Sequence, residues 1–358
     1  MVTYKIALID GDNIGPELIR QVEKILIKIM QLSDFKFDVQ RPIAFGKSID
    51  LYKEPFTENE LIKTLECDAV IIGNIGEKKY NHLNKNDRPE GGFIKLRNNL
   101  GVCSSIRRAV IRENLESLSS LKPQLINGLD ITVIRDIQGG MYSGIKSYTT
   151  NENEAADVEF YNSDIIKNSA THAFELASIN NLKITSIDKS NVLNTGYLWR
   201  NTINKLSKSY PNVQINYDYA DNVAMKVIQN PKDFEIILAN NVFGDVISDE
   251  VAAITGTPNL FGNSELSPSG KGIYTPNQLH YPNEEYINKN IVSPIGIISS
   301  LIDLFTFSIK QPAIAKSIEK AIEKIFIDKL TTADLPVTGF KILTTDEMGD
   351  ALAENIEL

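Results

Sequence analysis

Two aspartates, Asp245 and Asp249, lie four residues apart in F-G-D-V-I-S-D-E, at the start of a predicted helix that follows a predicted strand at 234–239. This spacing puts both carboxylates on one helical face. Two like charges there repel each other unless a cation bridges them, and such oxygen ligands suit Mg²⁺ or Mn²⁺. Asp221, in Y-A-D-N, is a candidate third ligand. Alternatively, acids at a helix start only interact favourably with the helix dipole, and the spacing favours neither interpretation.

Three arginines could bind a substrate with two carboxylates, because each guanidinium can hold a carboxylate bidentately. They are Arg97, Arg107 and Arg135, and Arg135 ends a predicted strand at 131–135. Ligands in α/β folds collect at the carboxyl ends of strands, which favours a binding role for Arg135. A single arginine is more often a solvated surface charge, so this set alone leaves both interpretations open.

Two further residues could transfer protons. Tyr142 lies in Q-G-G-M-Y-S-G, where the glycines allow a close backbone approach and a tyrosine could act as a general acid. Lys189 follows a predicted strand at 183–187, and it could act as a base if burial or a nearby cation lowered its pKa. For each residue taken alone, a loop tyrosine and a surface lysine are the commoner interpretations.

The elements that must position these residues alternate between short apolar runs and amphipathic stretches, which indicates an α/β fold. Besides the strands named above, strands are predicted at 5–9 and 69–73, and apolar spacing predicts a helix at 16–30. The turn G-D-N-I-G-P-E before this helix is not the G-x-G-x-x-G of a Rossmann fold. The segment 262–272, with Asn, Ser, Pro and three glycines, is predicted to be the clearest long loop.

The composition excludes several other classes of protein. The chain has 358 residues, of which 42% are hydrophobic and 23% charged, the balance of a globular protein large enough for about two domains. Its formal net charge of -9, without a dense basic run, argues against a nucleic-acid partner. No apolar stretch is long enough to span a membrane, and no secretory signal pattern follows Met1. The two cysteines, Cys67 and Cys103, are too few for a disulfide framework, so we expect a cytoplasmic protein.

In this order, the segments resemble those of the β-decarboxylating dehydrogenases, the family of isopropylmalate, isocitrate, homoisocitrate and tartrate dehydrogenases. The resemblance extends from Ile6 to about Ala353 and is strongest over 189–250, where D-K-S-N-V-L, L-W-R, Y-P-N-V, D-N-V-A-M, N-P-K-D-F and F-G-D-V-I-S-D-E follow one another. It implies a non-Rossmann fold of two α/β domains. The first domain is discontinuous and the second is central, with bounds at 1–101 plus 252–358 and at 102–251.

The resemblance also implies a role for each candidate residue. The carboxylates of a malate-type 2-hydroxy acid would be bound by Arg97, Arg107 and Arg135. The Mg²⁺ or Mn²⁺ ion would be bound by Asp245, Asp249 and Asp221. Lys189 would accept the hydroxyl proton as hydride leaves for the nicotinamide, and Tyr142 would protonate the enolate carbon after the loss of CO₂. Asp221 and Lys189 would reach the site from the partner subunit, so the active unit would be a homodimer with shared active sites.

In this family, substrate choice depends on residues just before Arg97. Isocitrate enzymes carry Ser and Asn there to meet a third carboxylate, whereas this chain has Glu90, Phe93 and Ile94, with Val192 opposite. Apolar groups cannot pair with a third carboxylate, whose burial would be costly. The resemblance therefore favours 3-isopropylmalate, or a relative with an altered substituent because Phe93 is bulkier than the usual leucine. Isocitrate, homoisocitrate, tartrate and malate are the alternative substrates.

The cofactor region departs from the family pattern. Family members carry H-G-S-A-P-D, whose acid grips the adenosine ribose of NAD, but the aligned stretch here runs from Gln278 to Asn283. Asn283 can still hydrogen-bond a ribose hydroxyl, and Glu284 and Glu285 would repel the 2′-phosphate of NADP. NAD is therefore expected, with NADP as the alternative. The other cofactor contacts implied by the resemblance are Ile14, Asn191 and Ser293.

A non-catalytic, metabolite-binding relative is the competing hypothesis, because the cofactor segment is altered. Such a relative would be expected to lose the lysine and the catalytic acids. This chain keeps Lys189, Tyr142 and Asp221, which favours an enzyme.

Overall fold

The computed structural model describes residues 2–144, 147–151, 154–280 and 284–358. Helices and strands alternate along these ranges and build one large mixed sheet with helices packed against it. This is the α/β class that the alternation of apolar runs and amphipathic stretches predicts.

The strands are β1 (Val2–Gly11), β2 (Phe35–Gln40), β3 (Ala69–Asn74), β4 (Ser104–Val110), β5 (Asp130–Asp136), β6 (Ser147–Asn151), β7 (Glu154–Asp157), β8 (Ile184–Asp188), β9 (Ile215–Tyr219), β10 (Ile236–Ala239), β11 (Gly262–Leu266), β12 (Gly272–Pro276), β13 (Leu330–Thr332) and β14 (Lys341–Leu343). The α-helices are α1 (Gly15–Leu32), α2 (Phe45–Tyr52), α3 (Glu58–Leu65), α4 (Pro89–Leu100), α5 (Pro123–Ile126), α6 (Ser163–Asn180), α7 (Asn194–Ser207), α8 (Ala220–Gln229), α9 (Asn241–Ile254), α10 (Ile295–Asp303), α11 (Pro312–Ile327) and α12 (Thr345–Glu354).

The main sheet has the strand order β2-β1-β3-β12-β11-β4-β5-β10-β8-β9 over the described residues. Strands β1, β2, β3 and β12 are parallel to one another, and so are β5, β10, β8 and β9. Between these two groups, β11 is antiparallel to β12 and β4, and β4 is antiparallel to β5. The carboxyl ends of β5, β10, β8 and β9 therefore lie at one edge of the sheet, which brings together the residues that follow them.

The central strands could be recognised in the sequence because they are fully buried. Every residue of β3, β8 and β10 is buried, as expected for parallel strands covered on both faces. The apolar positions that predict the first helix are buried in α1, namely Leu18, Ile19, Val22, Ile25, Leu26 and Ile29. The predicted strands and this helix are confirmed, with ends that differ by at most three residues.

The prediction of a long loop at 262–272 is wrong. This segment contains β11 and the first residue of β12, and the connection between them is 267–271. The segment has the polar composition of a loop, but its polar side chains are bonded inside the sheet. For example, Ser105 Oγ donates to Asn263 Oδ1 over 2.6 Å, which satisfies both side chains without solvent.

The division into two domains stays a prediction. One sheet runs through both proposed parts, because β4 of the central part pairs with β11 of the discontinuous part. Across the described ranges, no helix is both long enough and apolar enough to cross a membrane.

Candidate active site

Arg135 lies at the carboxyl end of β5, and α9 begins directly after the neighbouring strand β10. Because β5 and β10 are parallel, the strand end and the helix start adjoin. Arg135 donates from Nε and Nη2 to Asn241 Oδ1 over 3.1 and 2.8 Å, and its Nη1 forms an ion pair with Asp245. Burial lowers the pKa of the Arg135 guanidinium, while the Asp245 carboxylate raises it. Arg135 is thus fixed where a substrate anion could meet it.

A glycine lets α9 pack closely against β5. A Cβ atom at Gly244 would lie 2.7 Å from both Cβ and Cγ of Arg135, well inside the normal distance between carbon atoms. Glycine inside a helix costs about 1 kcal/mol relative to alanine. That cost is offset here because Gly244 sets the distance between Arg135 and the helix that carries Asp245 and Asp249.

Arg107 lies on β4 and contacts the same helix. Its Nη1 donates to Ser248 Oγ over 2.9 Å and to Asp249 Oδ1 over 2.8 Å. The Asp249 side chain is 73% exposed. Because α9 begins at Asn241, Asp245 and Asp249 lie in its second and third turns. The prediction that they lie at the helix start is wrong. The helix-dipole interpretation is therefore wrong too, because the dipole acts on acids in the first turn.

Arg97 belongs to the last turn of α4 and pairs with an acid of the sheet. Its Nε lies 2.7 Å from Oε2 of Glu265 on β11, and Glu265 is only 6% exposed. The guanidinium carbon of Arg97 also lies 5.5 Å from the centre of the Phe93 ring, one turn earlier in α4. Glu265 is a candidate residue that could not be recognised in the sequence, because its segment has a loop-like composition.

Each of the three arginines therefore has its own acid partner. The pairs are Arg97 with Glu265, Arg107 with Asp249 and Arg135 with Asp245. Two of these acids are the candidate metal ligands on α9, whereas the third lies inside the sheet. The positive charges of the predicted carboxylate site are thus balanced one for one within the chain.

The glycine-rich segment before Tyr142 is anchored by a buried carboxylate. Asp136 Oδ2 accepts hydrogen bonds from Gly139 N over 2.8 Å and from the Tyr161 hydroxyl over 3.1 Å. Burial raises the pKa of Asp136 to about 6, although these donors act against the rise. Asn241 Nδ2 also donates to Gly139 O over 2.7 Å, so the segment is tied to the start of α9.

Tyr142 lies beside the arginines. Its ring centre is 5.8 Å from the guanidinium carbon of Arg135, and its side chain is exposed. Together with Ile94 and Arg97, it lines a cavity of about 520 Å³. A hydroxyl group in this position could reach a substrate held by the arginines.

Lys189 and Asp221 form a second group at the same edge of the sheet. Lys189 follows β8, and Asp221 lies in the first turn of α8 after β9. Lys189 Nζ donates to Asp221 Oδ1 over 2.6 Å, which holds the pKa of Asp221 below its usual range. Just before Lys189, the buried Asp188 accepts from Arg200 Nε and Nη2 over 2.8 and 3.1 Å. This bidentate pair fixes the end of β8 and therefore the position of Lys189.

The two groups do not merge within one chain. Among the described residues, no three His, Cys, Asp or Glu side chains lie close enough to hold a metal ion. Asp221 therefore does not join Asp245 and Asp249 in a single chain, and a site with all three acids requires a second chain. Asn191 and Val192 lie in the loop after β8, two and three residues beyond Lys189, and both are exposed. They therefore belong to the second group.

The residues predicted at the substituent end of the substrate lie near the Arg97 pair. Phe93 is buried and its ring centre is 6.0 Å from that of His280, while Ile94 is exposed. The Glu90 carboxylate packs on Gly76, where a Cβ atom would lie 2.7 Å from Glu90 Oε1. This end therefore combines an aromatic wall with two carboxylates, those of Glu90 and Glu265.

The predicted cofactor residues are spread over several elements. Ile14 is buried directly before α1. Ser293 is buried too, and its backbone N–H donates to both carboxylate oxygens of Asp334 over 3.0 Å. Asn283 lies outside the described residues. The roles of these residues in cofactor binding stay predictions.

A second cavity lies between Asp249 of α9 and the segment that aligns with the family's cofactor motif. It measures about 440 Å³ and is lined by Arg107 and Asp249 on one side and by Gln278, Leu279 and His280 on the other. This segment therefore lies beside one of the candidate metal ligands, Asp249.

The family model described as isocitrate/isopropylmalate dehydrogenase matches residues 5–352 of the chain. The chain belongs to the isocitrate/isopropylmalate dehydrogenase family. It is 36% identical to the 3-isopropylmalate dehydrogenase of Clostridium pasteurianum, over 99% of this chain and 100% of that one. It is 33% identical to the 3-isopropylmalate dehydrogenase of Acinetobacter baylyi, over 98% and 99% of the two chains.

Solved structures share the fold of this dehydrogenase. The crystal structure of isocitrate dehydrogenase from Methylococcus capsulatus matches with a TM-score of 0.80 and 20% identity, over 99% of this chain and 100% of that chain. The β-decarboxylating dehydrogenase of Thermococcus kodakarensis matches with a TM-score of 0.78 over 99% and 96%. The resemblance read from the sequence, the fold it implies and the oxidoreductase class are therefore confirmed.

The donors of this dehydrogenase fit a divalent cation. Asp245 and Asp249 lie on one face of α9 and each pairs with an arginine, and Asp221 is exposed and paired with an amine. Carboxylate oxygens without soft ligands select Mg²⁺ or Mn²⁺ over zinc. Two acids from one chain and one from a second chain would complete the set.

Proposed function

We propose that this chain catalyses the oxidative decarboxylation of 3-isopropylmalate, with NAD as hydride acceptor and Mg²⁺ or Mn²⁺ as the metal. One observation carries the proposal: Arg107 and Arg135 flank the acids of α9 and pair with them, so anion and cation sites adjoin. The relatives named 3-isopropylmalate dehydrogenase over nearly their whole length support the choice of substrate.

The arginines would hold the two carboxylates of the malate core. Arg107 and Arg135 can each exchange the acid partner on α9 for a substrate carboxylate, because a guanidinium can bind either carboxylate bidentately. Asp245 and Asp249 would then be free to bind the metal. A bound divalent cation supplies charge stabilisation for the oxygen that develops during oxidation and decarboxylation.

The isopropyl group would lie at the end of the site formed by α4. Phe93 and Ile94 offer it apolar surface, and burying such a group adds about 0.8 kcal/mol per CH₂. A bulkier alkyl group is the alternative that the same wall could accept.

Lys189 would accept the hydroxyl proton. Hydride leaves C2, the carbon that bears the hydroxyl group, for the nicotinamide and gives a 2-oxo acid. The bond between C3 and its carboxylate then breaks to release CO₂. The electron pair remains on the enolate, and Tyr142 donates a proton to its carbon. Lys189 Nζ pairs with Asp221 in the single chain, and it would exchange this partner for the substrate hydroxyl.

A homodimer would complete the site. Helices α7, α8 and α9 expose apolar side chains, among them Tyr197, Met225 and Val246, and α8 packs beside α9. An exposed patch of this kind marks a protein interface. In addition, β6 and β7 form a two-stranded sheet of their own, which is marginally stable without further packing.

The buried thiols of Cys67 and Cys103 need no oxidising compartment, so we expect this dimer in the cytoplasm.

A turnover panel tests the substrate and the cofactor. The purified protein with Mn²⁺ is offered 3-isopropylmalate, isocitrate, homoisocitrate, tartrate and malate, each with NAD and with NADP, and reduced nicotinamide is followed by absorbance. We expect the highest kcat/KM for 3-isopropylmalate with NAD. Turnover of isocitrate with NADP alone would contradict both assignments, and no reduction with any pair would favour a metabolite-binding role.

Mixing two inactive variants tests the shared site. Lys189→Ala and Asp245→Asn each remove one half of every active site in their own homodimer. When the two proteins are unfolded, mixed and refolded, half of the dimers are mixed and carry one intact site of two, so about a quarter of the wild-type activity should return. If Lys189 and Asp245 of the same chain share a site, the mixture stays inactive.

A further inference from the structure

Glu265 differs from the acids that pair with the other two arginines. Asp245 and Asp249 lie on the solvent side of α9 and are candidate metal ligands. Glu265 lies in the middle of the sheet, where its Cα pairs with Ser105 of β4 on one side and with Ile273 of β12 on the other. With 6% exposure, its carboxylate cannot rotate into solvent.

The charge of Glu265 depends on Arg97. The Nε of Arg97 lies 2.7 Å from Glu265 Oε2, but no N–H of the described residues points at this oxygen as an aligned hydrogen bond. Among the described residues, the Arg97 guanidinium is the cation that pairs with this carboxylate. A buried carboxylate without its cation would be strongly unfavourable, so Arg97 remains with Glu265 when the other arginines exchange partners.

This difference sets the charge of the substrate that fits. When a divalent cation takes Asp245 and Asp249, Arg135 and Arg107 lose their acid partners and can bind two carboxylates. Arg97 keeps its acid partner, because Glu265 is not on α9. Two free guanidiniums match a dicarboxylate, and a third carboxylate would find its nearest arginine already neutralised.

The surroundings of the pair reinforce the exclusion. Phe93 lies between Arg97 and His280, with its ring 5.5 Å from the guanidinium carbon and 6.0 Å from the imidazole ring. Glu90 and Glu265 both act on His280 to raise its pKa, although burial lowers it more. The substituent end of the site therefore carries two carboxylates and one mostly neutral imidazole, which disfavours an additional anion.

We propose that Glu265 is a specificity-determining residue: by neutralising Arg97 and placing a buried negative charge at the substituent end, it restricts the enzyme to malates whose third-carbon substituent is uncharged. This rests on the proposed function in assigning a malate core to the arginines. It goes further in naming the residue that excludes a carboxylate from the substituent. Arg97 can still contact a core carboxylate through its Nη atoms, since Glu265 occupies the Nε side.

The test removes the charge of Glu265 while keeping its size. Glu265→Gln is compared with the wild type, with Glu265→Asp and with Glu235→Gln, a matched substitution at the opposite edge of the sheet, before β10. For each protein, kcat/KM with NAD and Mg²⁺ is measured for 3-isopropylmalate, isocitrate and malate. Calorimetry gives the Kd of the same three acids with Mg²⁺ present.

For each protein, we divide kcat/KM for isocitrate by kcat/KM for 3-isopropylmalate. In Glu265→Gln, we expect this ratio to rise by about tenfold or more. The ratio should stay near the wild-type value in Glu265→Asp and in Glu235→Gln. If Glu265 had a purely structural role, the substitution would lower kcat/KM for both substrates by the same factor and leave the ratio unchanged. That result would overturn the proposal. If Glu265→Gln does not fold, Glu265→Ser gives a second neutral side chain for the same comparison.

Two outcomes in the wild type separate this proposal from the proposed function. If the wild type binds isocitrate as tightly as 3-isopropylmalate, charge selection is wrong whatever the variants do. If it reduces no NAD with 3-isopropylmalate, the proposed function fails. The role of Glu265 is then judged from the binding constants of dicarboxylates and the tricarboxylate alone.

Discussion

Lys189 and Asp221 form an ion pair of 2.6 Å at the carboxyl ends of two neighbouring parallel strands, β8 and β9. The pair joins the lysine that we propose as the base to a carboxylate that we propose as a metal ligand. The neighbouring Asp188–Arg200 pair keeps the strand end in place while the partners of Lys189 change.

Replacing Lys189 by Met should lower kcat by about 100- to 10,000-fold, the usual contribution of a general base. KM for the substrate should change little, because the carboxylates are held by arginines. Steady-state kinetics with saturating NAD and Mn²⁺ measures both values. Lys205→Met, at an exposed position of α7, is the matched control. Full activity in Lys189→Met would show that another group takes the proton.

Replacing Asp245 or Asp249 by Asn should weaken Mn²⁺ binding by at least about tenfold, because each change removes one charged oxygen ligand. Free Mn²⁺ can be measured directly by electron paramagnetic resonance, without reference to turnover. Asp233→Asn, at an exposed position before β10, should bind the metal as the wild type does. Wild-type affinity in both α9 variants would mean that the metal site lies elsewhere.

Replacing Val246 by Glu should dissociate the proposed homodimer and abolish activity together. Val246 lies on α9 between the two candidate metal ligands and is 59% exposed, so a charge there would be buried in the proposed interface. Sedimentation velocity reports the mass, and circular dichroism checks that the chain stays folded. Ile179→Glu, at a residue 70% exposed near the end of α6, should change neither property. A monomer with full activity would contradict the shared site.

The pH dependence of stability should report on Asp136. Its pKa rises from an unfolded value of about 3.9 to about 6 in the folded protein, so the folded state binds the proton more tightly. The stabilisation is complete below about pH 4 and is lost as the pH rises through 6. Over this range, the contribution amounts to about 3 kcal/mol.

Asp136→Asn removes this titration, because the amide keeps one acceptor oxygen for Gly139 N and the Tyr161 hydroxyl. The free energy of unfolding of the variant relative to the wild type should therefore rise between pH 4 and 6 and stay constant above about pH 7. Urea unfolding at several pH values measures the difference, with the exposed Asp34→Asn as control. A difference that does not vary with pH would mean that Asp136 is not the titrating group.

The sequence predicted the elements whose burial is continuous or periodic. Strands β3, β8 and β10 appear as apolar runs because both of their faces are covered, and α1 shows its buried face at helical spacing. The region of β11 was misinterpreted, because its polar side chains find partners only once β4 and β12 lie beside it. Composition cannot show that such partners exist.

The candidate site also has parts that could be predicted from local sequence patterns and parts that could not. The candidate arginines and the candidate acids on α9 could be recognised in motifs that are local in the sequence. The ion pair of Arg97 with Glu265 joins α4 to β11, and no local pattern links residues so far apart. Likewise, the separation of Asp221 from Asp245 within one chain depends on the strand order, which local spacing does not contain.

Gly244 allows α9 to pack directly against the Arg135 side chain, so the position of this helix is sensitive to the size of residue 244. The hydrogen atom at this position is all that fits between α9 and the Arg135 side chain, and Asp245 and Asp249 are rigidly attached to the same helix. Any larger residue would push the helix outward and displace both carboxylates in one motion, away from two arginines at once. A shift of about 1 Å can cost a hundredfold in rate. We therefore expect Gly244→Ala, which adds one methyl group against the Arg135 side chain, to lower activity strongly without unfolding the protein.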